Sequence, residues 1–178
     1  MRWVPCAAAV GLLAVASAPA AIAEEKPAVE FLDHAQILST SDEEAIKSQA
    51  QSMHLPDSVH EVLYATYPNS GEEFSRTLFH DLEREHPQFI SGSGLQKNVL
   101  VIAVGFEPNS MAVHCGTEVC QDIKIYDEGR VDGILDQMRS ALADDDYTIG
   151  MILATRAAAD TTVRRQYTQG VSFKHLPG

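Results

Sequence analysis

The segment NVLVIAVG, residues 98–105, is a continuous apolar run bounded by turn-forming residues. Its length suits a buried strand, and no alternation of polar and apolar residues interrupts it. A strand that is apolar on both faces must be covered on both faces, which is typical of a central strand in an α/β protein. The segment therefore predicts a sheet with helices packed above and below it.

The flanking segments complete this arrangement. The box SDEE at residues 41–44 predicts a helix start with Ser41 as the N-cap, and residues 60–67 (HEVLYATY) are rich in strand formers. Residues 111–115 are predicted to form a further strand after the chain turns back. Apolar residues at 3- and 4-residue spacing predict more helices, in segments 72–86, 129–142 and 147–159. We expect a three-layer α/β/α sandwich with a mixed sheet of about four strands flanked by helices.

The start of the chain has the layout of a secretory signal peptide. An apolar stretch follows Arg2, and the small-residue pattern Ala21-Ile22-Ala23 comes just before the polar Glu24. The alternative is an uncleaved anchor, because residues 3–23 are just long enough to span a bilayer. We expect cleavage and a secreted or periplasmic cell-envelope location, with membrane attachment only if the N-terminal segment is retained.

The predicted organisation is a signal peptide over residues 1–23, one domain over residues 24–160 and a loosely ordered tail over residues 161–178. Residues 24–30 are expected to be a short linker or a sheet edge. The net charge of −12 argues against nucleic acid as a partner. The sequence contains no nucleophile elbow, P-loop or H-E-x-x-H motif, so it predicts no organic cofactor and identifies no catalytic residue.

Residues 114–120 (HCGTEVC) place one histidine and two cysteines within seven residues. In an oxidising compartment the pair Cys115 and Cys120 predicts a disulfide, closed over a tight turn in which Gly116 is free to take a positive φ. Two alternatives stay open. A zinc site would use His114 with both thiolates, although His114 points to the opposite face of a strand from Cys115. A redox pair would normally have two intervening residues rather than four.

Four stretches together resemble the TPM domain, a family named for thylakoid lumen proteins of photosystem II repair and a nematode receptor modulator. Residues 32–39 (LDHAQILS) are similar to the family's V-x-D-x-a-x-x-L-S opening, and residues 98–102 (NVLVI) look like its N-G-V-L-L strand. Residues 113–116 (VHCG) resemble a strand that ends in a glycine turn, and residues 146–151 (DYTIGM) match D-Y-x-x-G-L at the start of the last helix. The resemblance covers residues 31–159 and implies a TPM-like, Rossmann-like sandwich.

The resemblance also implies cation binding. Some TPM domains bind divalent cations, some are reported as acid phosphatases, and many act as accessory factors for membrane protein complexes. Asp33 matches the family's acidic position in the opening segment, so we expect it to contribute to a Ca²⁺ or Mg²⁺ site. Asp122 and Asp127 follow the cysteine segment and could approach the same cleft beyond the carboxyl ends of the strands. The structural alternatives are a turn or capping aspartate for Asp33 and a solvated loop for the other two.

We therefore expect an accessory or interaction domain of the cell envelope that binds an envelope or membrane protein and carries a modest divalent-cation site. The alternative expectation is a metal-dependent acid phosphatase that uses the same cleft. A thiol oxidoreductase built on Cys115 and Cys120 is a third class.

Overall fold

The computed structural model describes residues 26–68, 73–106 and 110–165. The predictions on the signal peptide or anchor and on residues 166–178 of the tail lie outside these residues. In chain order the elements are β1 (Ala28–Asp33), α1 (Thr40–Ser52), β2 (Glu61–Tyr67), α2 (Phe74–Glu85), a 3₁₀ turn (Pro87–Phe89), β3 (Ile90–Ser91), β4 (Gly94–Leu95), β5 (Val99–Gly105), β6 (Ser110–Cys115), α3 (Thr117–Asp122), α4 (Arg130–Leu142) and α5 (Tyr147–Ala159).

The main sheet has the strand order β1-β2-β5-β6. Strands β1, β2 and β5 are parallel, whereas β6 is antiparallel to β5. Every residue of β5 is buried, because it lies between two neighbouring strands and both of its faces are covered. The predicted mixed sheet of four strands is therefore confirmed.

Two apolar clusters cover the two faces of the sheet. On one face α1, α3, α4 and α5 pack against side chains that include Tyr64 and Ile102. On the other face α2 and Phe89 pack against side chains that include Leu63 and Val101. Successive residues of β2 and β5 thus belong to opposite clusters, because successive strand side chains point to opposite faces. The three-layer sandwich is confirmed.

Helix α1 begins two residues earlier than predicted. Ser39 is the N-cap, and its hydroxyl accepts a hydrogen bond from the backbone N–H of Asp42, whose carboxylate accepts one from the N–H of Ser39. The prediction of Ser41 as the cap was wrong. The earlier register is favoured because the backbone N–H of Leu38 donates to the carboxylate of Asp33, 3.0 Å away, which fixes the chain just before Ser39.

The predicted disulfide between Cys115 and Cys120 is present, with a Cα–Cα distance of 5.3 Å. The residues between the two cysteines form the start of α3 and not an isolated tight turn. Gly116 is the N-cap of that helix with φ −70°, so the expected positive φ was wrong. Glycine is needed here for another reason: a Cβ at this position would collide with the backbone carbonyl of Gln96.

The first residues of the predicted tail contact the domain. The carbonyl of Val163 accepts a hydrogen bond from Arg130, and the N–H of Arg165 donates to the carbonyl of Gly129. Arg164 forms an ion pair with Asp127. Residues 163–165 are therefore attached to the start of α4. Among the described residues, the helices are all too short or too polar to cross a membrane.

Candidate functional site

Asp33 ends β1 at the carboxyl edge of the parallel strands. Its carboxylate accepts hydrogen bonds from the backbone N–H groups of Ile37 (3.3 Å) and Leu38 (3.0 Å) and from the hydroxyl of Thr66. These bonds hold the turn after β1, in which Gln36 takes a left-handed conformation with φ 54°. Three of the roughly four acceptor positions of the carboxylate are therefore used for structure.

Asp122 and Asp127 belong to the segment that leaves the sheet at its opposite edge, where β6 ends. Cys115, at the end of β6, lies opposite Leu100 near the start of β5, and α3 continues from there to Asp122. Asp127 is exposed, and its carboxylate lies 2.6 Å from the guanidinium of Arg164. Since antiparallel β6 returns the chain to the amino edge, the structure does not bring these two carboxylates together with Asp33. A shared Ca²⁺ or Mg²⁺ site of the three does not fit this geometry.

A different set of side chains meets at the carboxyl edge, beside Asp33. His34 follows β1, and Asp81 and Glu85 lie one helical turn apart on α2, so they share a face. Nε2 of His34 is 3.6 Å from Oδ2 of Asp81 and 3.7 Å from Oε1 of Glu85. One ligand atom from each residue lies within 4.8 Å of the others. We refer to His34, Asp81 and Glu85 as the carboxyl-edge cluster.

Arg84 and Tyr67 border this cluster. The guanidinium of Arg84 lies 2.8 Å from Oδ1 of Asp81 and 2.5 Å from Oε1 of Glu85, and its hydrogen bond lowers the pKa of Glu85. The ring of Tyr67 contacts that of His34, with centroids 5.1 Å apart. Burial, and then the negative charge of Asp81, raise the pKa of Tyr67. The cluster is therefore a group of charged side chains bordered by one aromatic ring.

Sequence reasoning missed the carboxyl-edge cluster. A partial signal was present, because Asp81 and Glu85 have the i, i+4 spacing of two side chains on one helix face. The pattern along α2 showed only which face is apolar, through the buried residues Phe74, Leu78 and Leu82. That the neighbouring face meets the end of β1 depends on how α2 packs on the sheet.

A groove of about 330 Å³ lies beside β6, and we refer to it as the β6 groove. Its lining is mostly apolar and includes the disulfide; the residues are Phe79, Gly94, Leu95, Val113, His114, Cys115, Cys120, Ile125, Tyr126 and Val131. Tyr126 is 78% exposed, which is unusual for an aromatic side chain of this size. β6 is an edge strand that pairs with β5 on one side, so the groove runs beside a strand edge that faces away from the sheet.

His114 lies on β6, where it lines the groove and contacts α2. Its Nε2 is 3.3 Å from the hydroxyl of Ser75, and its ring meets Phe79 edge-on at 5.2 Å. Burial lowers the pKa of His114, so the neutral ring predominates at pH 7. Because both cysteine sulfurs are joined in the disulfide, the alternative zinc site with two thiolates does not fit this structure.

The fold is similar to that of a solved domain. The solution NMR structure of the N-terminal domain of a protein from P. gingivalis is similar with a TM-score of 0.52 and 16% identity, over 78% of this chain and 83% of that one. The N-terminal domain of the cg2496 protein from Corynebacterium glutamicum has a TM-score of 0.47 and 13% identity, over 94% of this chain and 99% of that one. No protein-family model matches the chain, and no curated protein matches it in sequence. The first likeness shows a common α/β fold, and membership of the TPM family stays a prediction.

Proposed function

We propose that this chain is a binding domain outside the cytoplasm, an accessory module of the cell envelope that docks a protein partner in the β6 groove. The Cys115–Cys120 disulfide supports the location, because disulfides persist in oxidising compartments and are rare in the cytosol. The resemblance to TPM domains supports the class, because many members of that family are accessory factors for membrane protein complexes.

The observation that carries the proposal is an apolar groove with an exposed aromatic residue beside an edge strand. Tyr126 is 78% exposed and Val131 is 37% exposed, and both line the groove. Tyrosine is enriched among the residues that dominate binding energy at protein interfaces. An edge strand offers backbone groups to an added strand, while pockets beside it select side chains. The β6 groove combines both features.

The charge around the groove selects the partner segment. Asp122, Asp127 and Glu128 are exposed and close in sequence to Tyr126, with one exposed lysine, Lys124, among them, and Asp127 forms an ion pair with Arg164. The chain as a whole carries a net charge of −12. Complementary charge steers association and suppresses wrong partners. The partner segment is therefore an extended peptide with apolar side chains on one face and lysine or arginine at its ends.

Photo-crosslinking tests this proposal. A benzophenone amino acid replaces Tyr126 in the groove or, as the control, Ile149, which is 44% exposed on α5 and outside the groove. We expect position 126 to crosslink one partner segment in envelope extracts, and mass spectrometry then gives its sequence. A synthetic peptide of that segment should bind the purified protein, shift the β6 amide resonances and lose affinity with added salt.

Matched variants distinguish specific peptide binding in the groove from non-specific binding to exposed apolar residues. Val131→Asp should weaken peptide binding at least tenfold, whereas Ile149→Asp should leave it unchanged. Equal crosslinking from positions 126 and 149, or a bound peptide that leaves the β6 resonances unmoved, would show that the docking site is wrong.

The alternative expectation, a metal-dependent phosphatase, stays a prediction. Such an enzyme needs a metal ion to polarise the phosphoryl group and to activate water. Phosphate release from a panel of esters, measured with Mg²⁺, Mn²⁺ or Ca²⁺ present, tests it directly. Release of no phosphate from any ester would remove this alternative.

A further inference from the structure

We propose that the carboxyl-edge cluster binds a transition-metal dication of the Zn²⁺ type, with His34, Asp81 and Glu85 as its protein ligands. The proposal goes beyond the docking function and does not depend on it. The cluster lies at the end of β1, whereas the groove lies along β6, and these are the two opposite edge strands of the sheet.

The distances within the cluster are close to those of a metal site. Ligand atoms of a tetrahedral site with bonds of about 2.1 Å are about 3.4 Å apart. The observed separations from Nε2 of His34 are 3.6 Å to Asp81 and 3.7 Å to Glu85. Both distances are within a few tenths of an ångström of that value, and the ligand atoms of Asp81 and Glu85 lie within 4.8 Å of each other, so rotation of the side chains can bring the three together. Three protein ligands leave a fourth position for water.

Rigid elements hold the ligands. Asp81 and Glu85 are fixed by α2, and Asp81 is 8% exposed, so its carboxylate has little freedom. The backbone N–H of His34 donates to the carbonyl of Thr66 on β2, 3.0 Å away. The imidazole therefore extends from the end of the sheet toward the helix, and little ordering is required when a metal binds.

Two enclosed polar atoms independently indicate a bound group. Nε2 of His34 and the hydroxyl of Tyr67 are shielded from solvent, and neither has a hydrogen-bond partner in the described structure. Tyr67 is only 4% exposed, and its ring contacts that of His34, with the centroids 5.1 Å apart. Since buried polar groups in native proteins are almost always paired, a metal on Nε2 and its bound water near Tyr67 would supply the partners.

The ligand chemistry selects the class of metal. Ca²⁺ and Mg²⁺ prefer sites made of oxygen ligands. An imidazole with two carboxylates suits Zn²⁺ and its first-row neighbours, because imidazole nitrogen is a softer ligand than oxygen. The cluster thus differs from the Ca²⁺ or Mg²⁺ site that the sequence predicted with Asp33.

Arg84 competes with the metal. Its guanidinium contacts Oδ1 of Asp81 and Oε1 of Glu85, and Oε1 of Glu85 is also the oxygen nearest His34. Metal binding at Glu85 requires Arg84 to release that oxygen. The Arg84 side chain is 58% exposed, so it can turn into solvent. Removing its charge should therefore raise metal affinity.

Calorimetric titration of the purified protein with ZnCl₂ at pH 7.5 tests the site. His34→Gln and Glu85→Gln should each weaken binding at least about tenfold, the size of effect that follows the loss of a metal-site contact, and Arg84→Gln should strengthen it. His80→Gln is the matched control, because His80 is exposed on the same helix, and it should bind like the parent protein. In histidine side-chain NMR spectra, Zn²⁺ should shift the Nε2 resonance of His34 and leave that of His80 in place.

Equal Zn²⁺ affinity of the parent and His34→Gln would overturn the site, as would tighter binding of Ca²⁺ than of Zn²⁺. Circular dichroism distinguishes loss of the site from loss of the fold in the weakened variants. If His34→Gln and Glu85→Gln both unfold, Arg84→Gln still decides, because a folded Arg84→Gln protein without increased Zn²⁺ affinity would overturn the proposal.

Discussion

At the residue scale, Arg130 shows how one buried side chain joins distant parts of the chain. It is fully buried, and its guanidinium donates hydrogen bonds to the carbonyls of Ile123 (2.8 Å), Ala158 (2.8 Å) and Val163 (3.0 Å). Burial lowers the pKa of Arg130, but an arginine remains charged at neutral pH. The residue therefore links the loop after α3, the end of α5 and the chain beyond it.

Replacement of Arg130 by methionine should lower the free energy of unfolding by about 3 kcal/mol or more, because three carbonyls lose their donor inside the protein. Urea denaturation measures the change. Arg139→Met is the matched control: Arg139 is exposed on the same helix, and the expected change is below about 0.5 kcal/mol. A loss of less than about 1 kcal/mol for Arg130→Met would contradict the assigned role.

The free energy of unfolding should depend on pH because of His114. Burial lowers its pKa in the folded protein, whereas the unfolded chain has the ordinary value of about 6.5. Between the two values the unfolded chain binds a proton that the folded protein does not, so the free energy of unfolding decreases as the pH falls. The contribution of neutral His114 to the free energy of unfolding should be intact above about pH 7 and should decline below about pH 6.5.

Urea denaturation at several pH values from 8 to 5 checks this dependence. His114→Gln should show a shallower decline in the free energy of unfolding than the parent protein. His80→Gln, which changes an exposed histidine, should keep the slope of the parent. Identical slopes for His114→Gln and the parent protein would rule out this explanation.

At the element scale, α3 is a short helix that its surroundings hold in place. It has six residues, and an isolated helix of that length is unstable in water. The carbonyl of Lys97 accepts hydrogen bonds from the N–H groups of Glu118 and Val119 at 3.1 and 3.2 Å. The disulfide joins Cys120 in the helix to Cys115 at the end of β6. These links fix one wall of the β6 groove.

Replacing both cysteines by alanine should lower the free energy of unfolding by about 2 kcal/mol, the chain-entropy value for so short a loop. Urea denaturation of the double variant, compared with the parent protein, measures the loss. The parent protein treated with a strong reductant is the control and should move toward the double variant. An unchanged midpoint would mean that the contacts of Lys97 hold α3 without the disulfide.

At the scale of the whole molecule, the sheet separates the two candidate sites. The carboxyl-edge cluster lies at the end of edge strand β1, and the groove lies along edge strand β6. The disulfide beside the groove is consistent with an oxidising compartment. This location agrees with the signal-peptide pattern over residues 1–23, which lies outside the described structure.

The protein isolated from an envelope fraction should begin at Glu24, because the Ala21-Ile22-Ala23 pattern is typical of signal-peptide cleavage. Intact-mass spectrometry measures this start, and thiol labelling of the unfolded protein should find no free cysteine, since Cys6 would be lost with the peptide. A mass that includes residues 1–23 would indicate a retained anchor instead.

Several features could be predicted from the sequence because local signals determine them. The apolar run of β5 required cover on both faces, and the helical spacing of Phe74, Leu78 and Leu82 identified the buried face of α2. Asp146 stands directly before α5 and caps it, accepting a hydrogen bond from the N–H of Ile149, as aspartates at this position commonly do. Each signal lies within one element, where side-chain spacing and capping chemistry are sufficient.

Other features were decided only by the tertiary structure. Residues 24–30 were predicted as either a short linker or a sheet edge, and the parallel pairing of β1 with β2 makes β1 an edge strand. The carboxyl-edge cluster exists because α2 packs over the end of β1, and Asp33 is separated from Asp122 because β6 runs antiparallel to β5. The sequence alone determined the layers, the disulfide and most of the helices, since these depend on short-range periodicity and on cysteine pairing. The sites depend on how distant elements meet, and that is set by packing across the sheet.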